Sequence, residues 1–308
     1  VTRIARDERG FALVAVLLVL AIVAVLGTEF AYVTRLEASS VRAYKAGLAA
    51  GHLAEAAIAQ AIRELASDWA VVTADETGEL TFYTRDRIAM PPLPRREVPF
   101  GPGQFSYRLR DEEALLNVNT AQPGRLELLL DNLGVQRRDR DQIVASIQDW
   151  RDANDEHRLS GAESDDYYLK LPVPYRARNA NIESVTELLQ IRGITSALYH
   201  GTERGGGLAD AVTVRSGGQI NINTATPTVL RALGLSEAEI ITVLQTRRET
   251  PYLVVPGQFG GRGFAATTRT FRVTAEGIMH GRVAARITAV LRRQSEVEIG
   301  IVEWSGVQ

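Results

Sequence analysis

The chain has no cysteine and only four histidines among its 308 residues. The first absence excludes disulfide staples, thiol nucleophiles and thiolate zinc sites; the second leaves His52, His157, His200 and His280 as the only imidazoles. A charge excess of either sign is also missing, because the formal net charge is -2. A basic polyanion binder is therefore not indicated. Proline is absent from Phe11 to Ser67, so nothing in that stretch forces a helix to break. At this length the prior is two globular units, held by core packing or by a bound metal.

What is present begins with an uncharged, Val-, Leu-, Ile- and Ala-rich run from Phe11 to Thr28, preceded by Arg3, Arg6 and Arg9. As a helix, such a run is roughly 27 Å long, near the thickness of a bilayer core. The basic flank predicts a cytoplasmic N-terminus and export of everything after Thr28. Three readings fit the segment. A cleaved secretory signal would need a small-residue site, and Val25-Leu26-Gly27 is a poor one. A plain signal anchor is the second. In the third, Gly10 and Phe11 form a processing junction on the cytoplasmic side, because Arg9-Gly10-Phe11-Ala12-Leu13 resembles the type III signal of type IV pilins and pseudopilins. That resemblance implies a prepilin peptidase that cuts after Gly10 and methylates the new amine of Phe11.

The helical pattern continues beyond the apolar run. Leu48, Leu53, Ala57, Ile58, Ala61, Ile62 and Leu65 recur at spacings of three and four, which places them on one helix face. One helix from about Phe11 to Leu65 is predicted, half in a membrane and half on a soluble domain. After Asp68 the pattern becomes strand-like at Leu80–Thr84 and Gln104–Leu109, with a Pro-rich loop between, and again at Thr270–Glu276, Val283–Leu291 and Val297–Trp304. The expected fold is α+β: a long helix on an antiparallel sheet.

Between those early and late strands the sequence repeats itself. Asn117-Val118-Asn119-Thr120-Ala121 recurs as Asn221-Ile222-Asn223-Thr224-Ala225. Each copy is followed by a Leu-rich helix, a Gly turn (Leu133-Gly134-Val135, Leu233-Gly234-Leu235) and a second helix near 139–151 or 237–248. Two related helix-pair modules are predicted, each opened by a capping Thr. A third piece, Ser184 to Ile194, carries a capping box at Ser184 and Glu187 and a stop at Gly193. These pieces resemble helix-hairpin-helix and SAM-like modules. The DNA-binding pattern has a second Gly, and here Thr195 replaces it. A membrane-tethered DNA-binding protein is the first alternative function.

The densest chemistry runs from Asp149 to Tyr168. Asp149, Asp152, Asp155, Glu156, Glu163, Asp165 and Asp166 share it with Asn154. A hard cation such as calcium takes six to eight oxygens of this kind. His157 stands where an EF-hand needs Gly, so an EF-hand is excluded, and a solvated acidic loop stays open. No apolar neighbours are evident that would split the pKa values of two carboxylates for acid-base work. A periplasmic hydrolase is the second alternative.

One family combines these features. Asp149-Trp150-Arg151-Asp152, Gly161-Ala162-Glu163, Tyr167-Tyr168, Leu171 to Arg176, Asn179 and the Ser184–Gly193 helix together resemble the GspK-type minor pseudopilins of type II secretion systems. The resemblance implies a non-enzymatic, inner-membrane-anchored subunit with a periplasmic head, in a tip complex with I-type and J-type minor pseudopilins, other pseudopilins and the secretion machinery. It implies a cytoplasmic leader (1–10), a transmembrane part (11–28), a stalk and first strands (29–111), a helical insertion (112–262) and closing strands (263–308). It also implies Ca2+ ligation among Asp149, Asp152, Asn154, Asp155, Glu163, Asp165 and Asp166, with Asn154 where the family pattern has Asp. Ala15, the fifth residue counted from Phe11, replaces the Glu that most pilins carry. An unpaired acid in a bilayer costs about 2.5–3.5 kcal/mol, so its absence suits a subunit with no neighbour's amine above it.

Overall fold

The computed structural model describes residues 8–202 and 205–307. Most of the expected leader, Val1–Asp7, lies outside them. Helix α1 (Glu8–Leu65) is unbroken, as the lack of proline allows. Its first half lies free of the rest of the molecule: the best 18-residue window has a mean hydropathy of 3.0, and none of it is buried. The helix stops at Leu65, whose carbonyl accepts the Trp69 indole N–H at 2.9 Å.

Four short or medium strands follow: β1 (Val71–Ala74), β2 (Leu80–Tyr83), β3 (Val98–Phe100) and β4 (Gly103–Asp111). Next come β5 (Leu116–Asn117), α2 (Pro123–Asn132), α3 (Arg137–Arg151), α4 (Ser196–His200), β6 (Gly201–Thr202), β7 (Gly205–Gly206), α5 (Leu208–Ala211), β8 (Val212–Thr213) and β9 (Ile220–Asn221). The chain ends with α6 (Pro227–Ala232), α7 (Glu237–Glu249), β10 (Phe264–Ala265), β11 (Thr270–Met279), β12 (Arg282–Arg293) and β13 (Ile299–Trp304). The main sheet has the order β13-β12-β11-β4-β3 and is antiparallel throughout. Segments distant in sequence thus meet at its centre, where Phe271 pairs with Asp111 and Val273 with Leu109.

Alternation explains which face meets the helix. Phe105, Tyr107 and Leu109 of β4, Phe271, Val273 and Ala275 of β11, and Ile287, Ala289 and Leu291 of β12 pack against Leu53, Ala57, Ile58, Ala61 and Leu65 of α1. Each large apolar side chain buried there contributes about 1.5–3 kcal/mol. Leu48, expected on this face, is 54% exposed because, five residues before Leu53, it falls on the solvent face with His52 and Glu55. At Ala50 the contact is backbone on backbone: a Cβ on Gly277 would fall 1.9 Å from the Ala50 carbonyl oxygen. Farther up, the buried Glu64 accepts a bidentate pair from Arg95, at 2.7 and 3.1 Å, and a hydroxyl bond from Tyr107 at 2.8 Å. That ties the Pro-rich loop to the helix. The Leu80–Tyr83 strand pairs with β1, in a hairpin beside the main sheet, and Phe82 packs on Trp69.

Everything between Asp111 and Thr270 forms a helical crown with its own core, from Leu116 to Phe264. The joint is polar and buried. Asp111 accepts from Asn221 Nδ2, Thr224 Oγ1, Thr268 Oγ1 and the Glu113 N–H, and Glu113 accepts from the Thr270 N–H. Burial, then the neighbouring Glu113 charge, hold the Asp111 carboxyl well above the usual range.

Candidate functional site

The repeat seen in sequence is a repeat of hydrogen bonds. In the first copy Val118 N–H donates to the Thr213 carbonyl at 3.0 Å, and in the second Ile222 N–H donates to the Ala265 carbonyl at 2.9 Å. Asn117 Oδ1 accepts from Asn119 N–H at 2.9 Å, and Asn221 Oδ1 from Asn223 N–H at 3.1 Å. An arginine from the end of the second helix then returns to each turn. Arg151 donates to the carbonyls of Val118 and Ala121; Arg247 donates to those of Ile222 and Ala225. Both arginines lose part of their usual proton affinity through burial, Arg247 down to about 10. One cap meets the expectation of a capping Thr and one does not: Thr226 Oγ1 accepts from the Val229 N–H, whereas Gln122 makes no side-chain cap bond. Gln122 and Thr226 occupy the N-cap positions, ahead of Pro123 and Pro227, while Thr224 Oγ1 is spent on Asp111.

The second asparagine of each turn makes a reciprocal pair with a distant backbone. Asn119 bonds both ways with Ile182 (2.8 and 2.9 Å), and Asn223 bonds both ways with Tyr252, each at 2.9 Å. The chain travels from Arg247 to Tyr252 through residues 248–251 alone. From Arg151 to Ile182 it travels through residues 152–181, and this excursion is the acidic loop.

Asp149, on the last turn of α3, is fully buried and organises the loop. Its oxygens accept from the Arg158 N–H at 3.2 Å, Arg158 Nη1 at 2.7 Å and the Ala162 N–H at 2.9 Å. Gly161 is required beneath it, since a Cβ there would lie 1.9 Å from Asp149 Oδ2. Asp152 is the C-cap of α3, and its Oδ2 accepts from Arg158 Nη1. Asn154 Oδ1 accepts from the Glu156 N–H, and Asp155 Oδ1 accepts from Asn179 Nδ2. Asp166 Oδ1 accepts from the Glu163 N–H, and Asp165 faces solvent.

Four oxygens of this loop are buried without any hydrogen-bond partner: Glu163 Oε1 and Oε2, Asp152 Oδ1 and Asn179 Oδ1. Glu163 is only 2% exposed. Burial, and then the charges of Asp149, Asp152 and Asp155, push its carboxyl up to about 7. Sequence did not show that the apolar residues of the same stretch would be buried; the fold seats Trp150, Ala162 and Tyr168 in the crown core. Unpaired buried oxygens are costly, and a hard cation satisfies them. Among the described residues no group of three or more His, Asp or Glu side chains forms a ready-made metal site; an amide oxygen belongs to the fitting set instead. Asn179 was legible only as part of a family pattern, and its positive φ of 48° marks a tight turn that presents it. Arg158 carried no sequence signal.

The hairpin arginines are engaged internally. Arg192 donates to the Gly161 carbonyl at 3.0 Å and stacks over Tyr167 at 4.5 Å, Arg231 pairs with Glu237, and Arg140 pairs with Asp131. Thr195, at the position of the second hairpin Gly, caps α4 through the Leu198 N–H at 3.1 Å.

A long exposed apolar helix laid on an antiparallel sheet defines the pilin-like class, here with a helical crown inserted between two central strands. The model of the family "Type II secretion system (T2SS), protein K" matches residues 108–204, which include the first module and the acidic loop. A type II secretion system protein K from Pectobacterium carotovorum is 34% identical over 34% of this chain and 37% of its own length. A putative type II secretion system protein K from Escherichia coli K12 is 29% identical over 63% and 60%, and one from Klebsiella pneumoniae is 26% identical over 79% and 76%. The chain thus spans less than two thirds of the first two relatives. A crystal structure of the GspK-GspI-GspJ complex from enterotoxigenic E. coli contains a chain that superposes with a TM-score of 0.66 at 18% identity, covering 87% of this chain and 98% of that one. Over residues 108–204 the chain is similar to type II secretion system protein K, and over most of its length it shares the fold of that crystal-structure chain.

Proposed function

We propose that this chain is a minor pseudopilin at the tip of a type II secretion pseudopilus, assisting its initiation and the export of folded proteins. One observation carries this: a single helix lives in two environments. Phe11 is 80% exposed and Leu20 58%, whereas Leu53 is 3% exposed and Leu65 is fully covered by the sheet. The bare half suits an inner-membrane span and stalk packing, and the covered half bears a periplasmic head. Cleavage after Gly10 with methylation of Phe11 belongs to the same proposal, as does assembly with I-type and J-type subunits, which the name of the structural relative supports. Its role is structural, without a catalytic step. Co-expression with its own I-type and J-type partners, followed by extraction in detergent and size-exclusion chromatography, tests it. A stable three-component complex is expected; elution of this chain alone overturns the assembly reading.

The acidic loop is proposed to hold calcium through Glu163, Asp152 and Asn179, with Asp155 and Asp166 beside them. Asp149 and Asn154 act in building the loop rather than in ligation. The ion supplies positive charge and coordination; the protein residues hold one loop shape. Because binding favours the native state alone, calcium must raise the melting temperature of the full chain in detergent relative to EGTA. An identical melt in both overturns the metal proposal.

A further inference from the structure

We infer that Arg158 is the positioning residue of the acidic loop: its bridge from Asp149 to Asp152 turns Asp152 so that Oδ1 is the oxygen left for a cation. The inference rests on the calcium proposal above and adds to it the residue that sets ligand geometry.

Asp149 and Asp152 both sit at the C-terminal end of α3, where the helix already carries partial negative charge. Neither would stay fixed there without a counter-charge. Asp149 is immobile because it is fully buried and its oxygens are filled by N–H donors from Arg158 and Ala162. It serves as a hook. Arg158 Nη1 hangs on it at 2.7 Å and reaches Asp152 Oδ2 from the same nitrogen. Asp152 Oδ1 is then buried with no partner, in a loop where Glu163 keeps both carboxylate oxygens unpaired. One oxygen of Asp152 is thus committed to orientation and the other to ligation. A ligating carboxylate whose second oxygen is held by an outer-shell donor is a common way of fixing ligand geometry. Arg158 itself is 41% exposed, so its side chain is not a core element.

The opposite role would be competition, with Arg158 acting as a resident cation that metal must displace. The two roles predict opposite signs. Calorimetric calcium titration of the full chain in detergent separates them. With Arg158→Gln, positioning predicts a calcium Kd weakened about tenfold or more, and Arg158→Lys is expected to recover part of the loss. In the background of Asp152→Asn, adding Arg158→Gln should weaken binding no further, because Arg158 acts through Asp152; a merely structural role would add its own loss. Unchanged or tighter binding by Arg158→Gln overturns the inference while leaving the calcium proposal standing. Absence of calcium binding by the wild-type chain removes both.

Discussion

The two modules of the crown close identically up to the end of their second helix and then part company. After Arg247 the second copy returns to its asparagine turn through residues 248–251; after Arg151 the first wanders through residues 152–181 before Ile182 makes the equivalent pair. The second copy is held by carbonyls, amides and one buried guanidinium. The first copy keeps the same bonds and adds a loop in which acidic side chains face one another around unpaired oxygens. The proposed metal-binding chemistry would therefore be an addition to a turn whose own hydrogen bonds are already made.

That equivalence can be broken experimentally, and the largest effect belongs to the returning arginines. Arg247→Ala leaves the buried carbonyls of Ile222 and Ala225 without a donor and should cost about 3 kcal/mol in urea unfolding. Arg151→Ala, less deeply buried, should cost about 2 kcal/mol on the same grounds. A neutral result for either would end the claim that the turns are built alike. Glycines sharpen the contrast further. Gly161→Ala drives a methyl into Asp149 and should cost about 2 kcal/mol. Gly134→Ala and Gly234→Ala, with φ of 79° and 81° and open space around them, should each cost about 1 kcal/mol and match one another.

The smallest effect is at the joint shared by crown and sheet. Asp111 holds its proton more tightly folded than unfolded, so the folded state binds the extra proton and stability declines as pH rises above the ordinary carboxylate range. Asp111→Asn should flatten the decline in melting temperature between about pH 4 and pH 7. An unaltered slope would move the titration elsewhere.

Much of this was open to inspection in the amino-acid order. Long helices, alternating strands and a repeated asparagine turn leave periodic traces, and the α+β layout followed from them. Other features left none. Arg151 and Arg247 look like solvent-facing helix residues, because only the tertiary return of the helix buries them. The β1–β2 hairpin reads as part of the main sheet, since a strand's alternation is silent about its partner. Among the acidic residues, sequence assigns charge but not which oxygens are already occupied. Asp149 and Glu163 are both buried carboxylates, yet one is saturated with N–H donors and the other has no partner.

The bare contact between Gly277 and Ala50 has a mechanical corollary. At this one point no side chain cushions rod from sheet, so a slip of the helix along its axis would bring backbone against backbone.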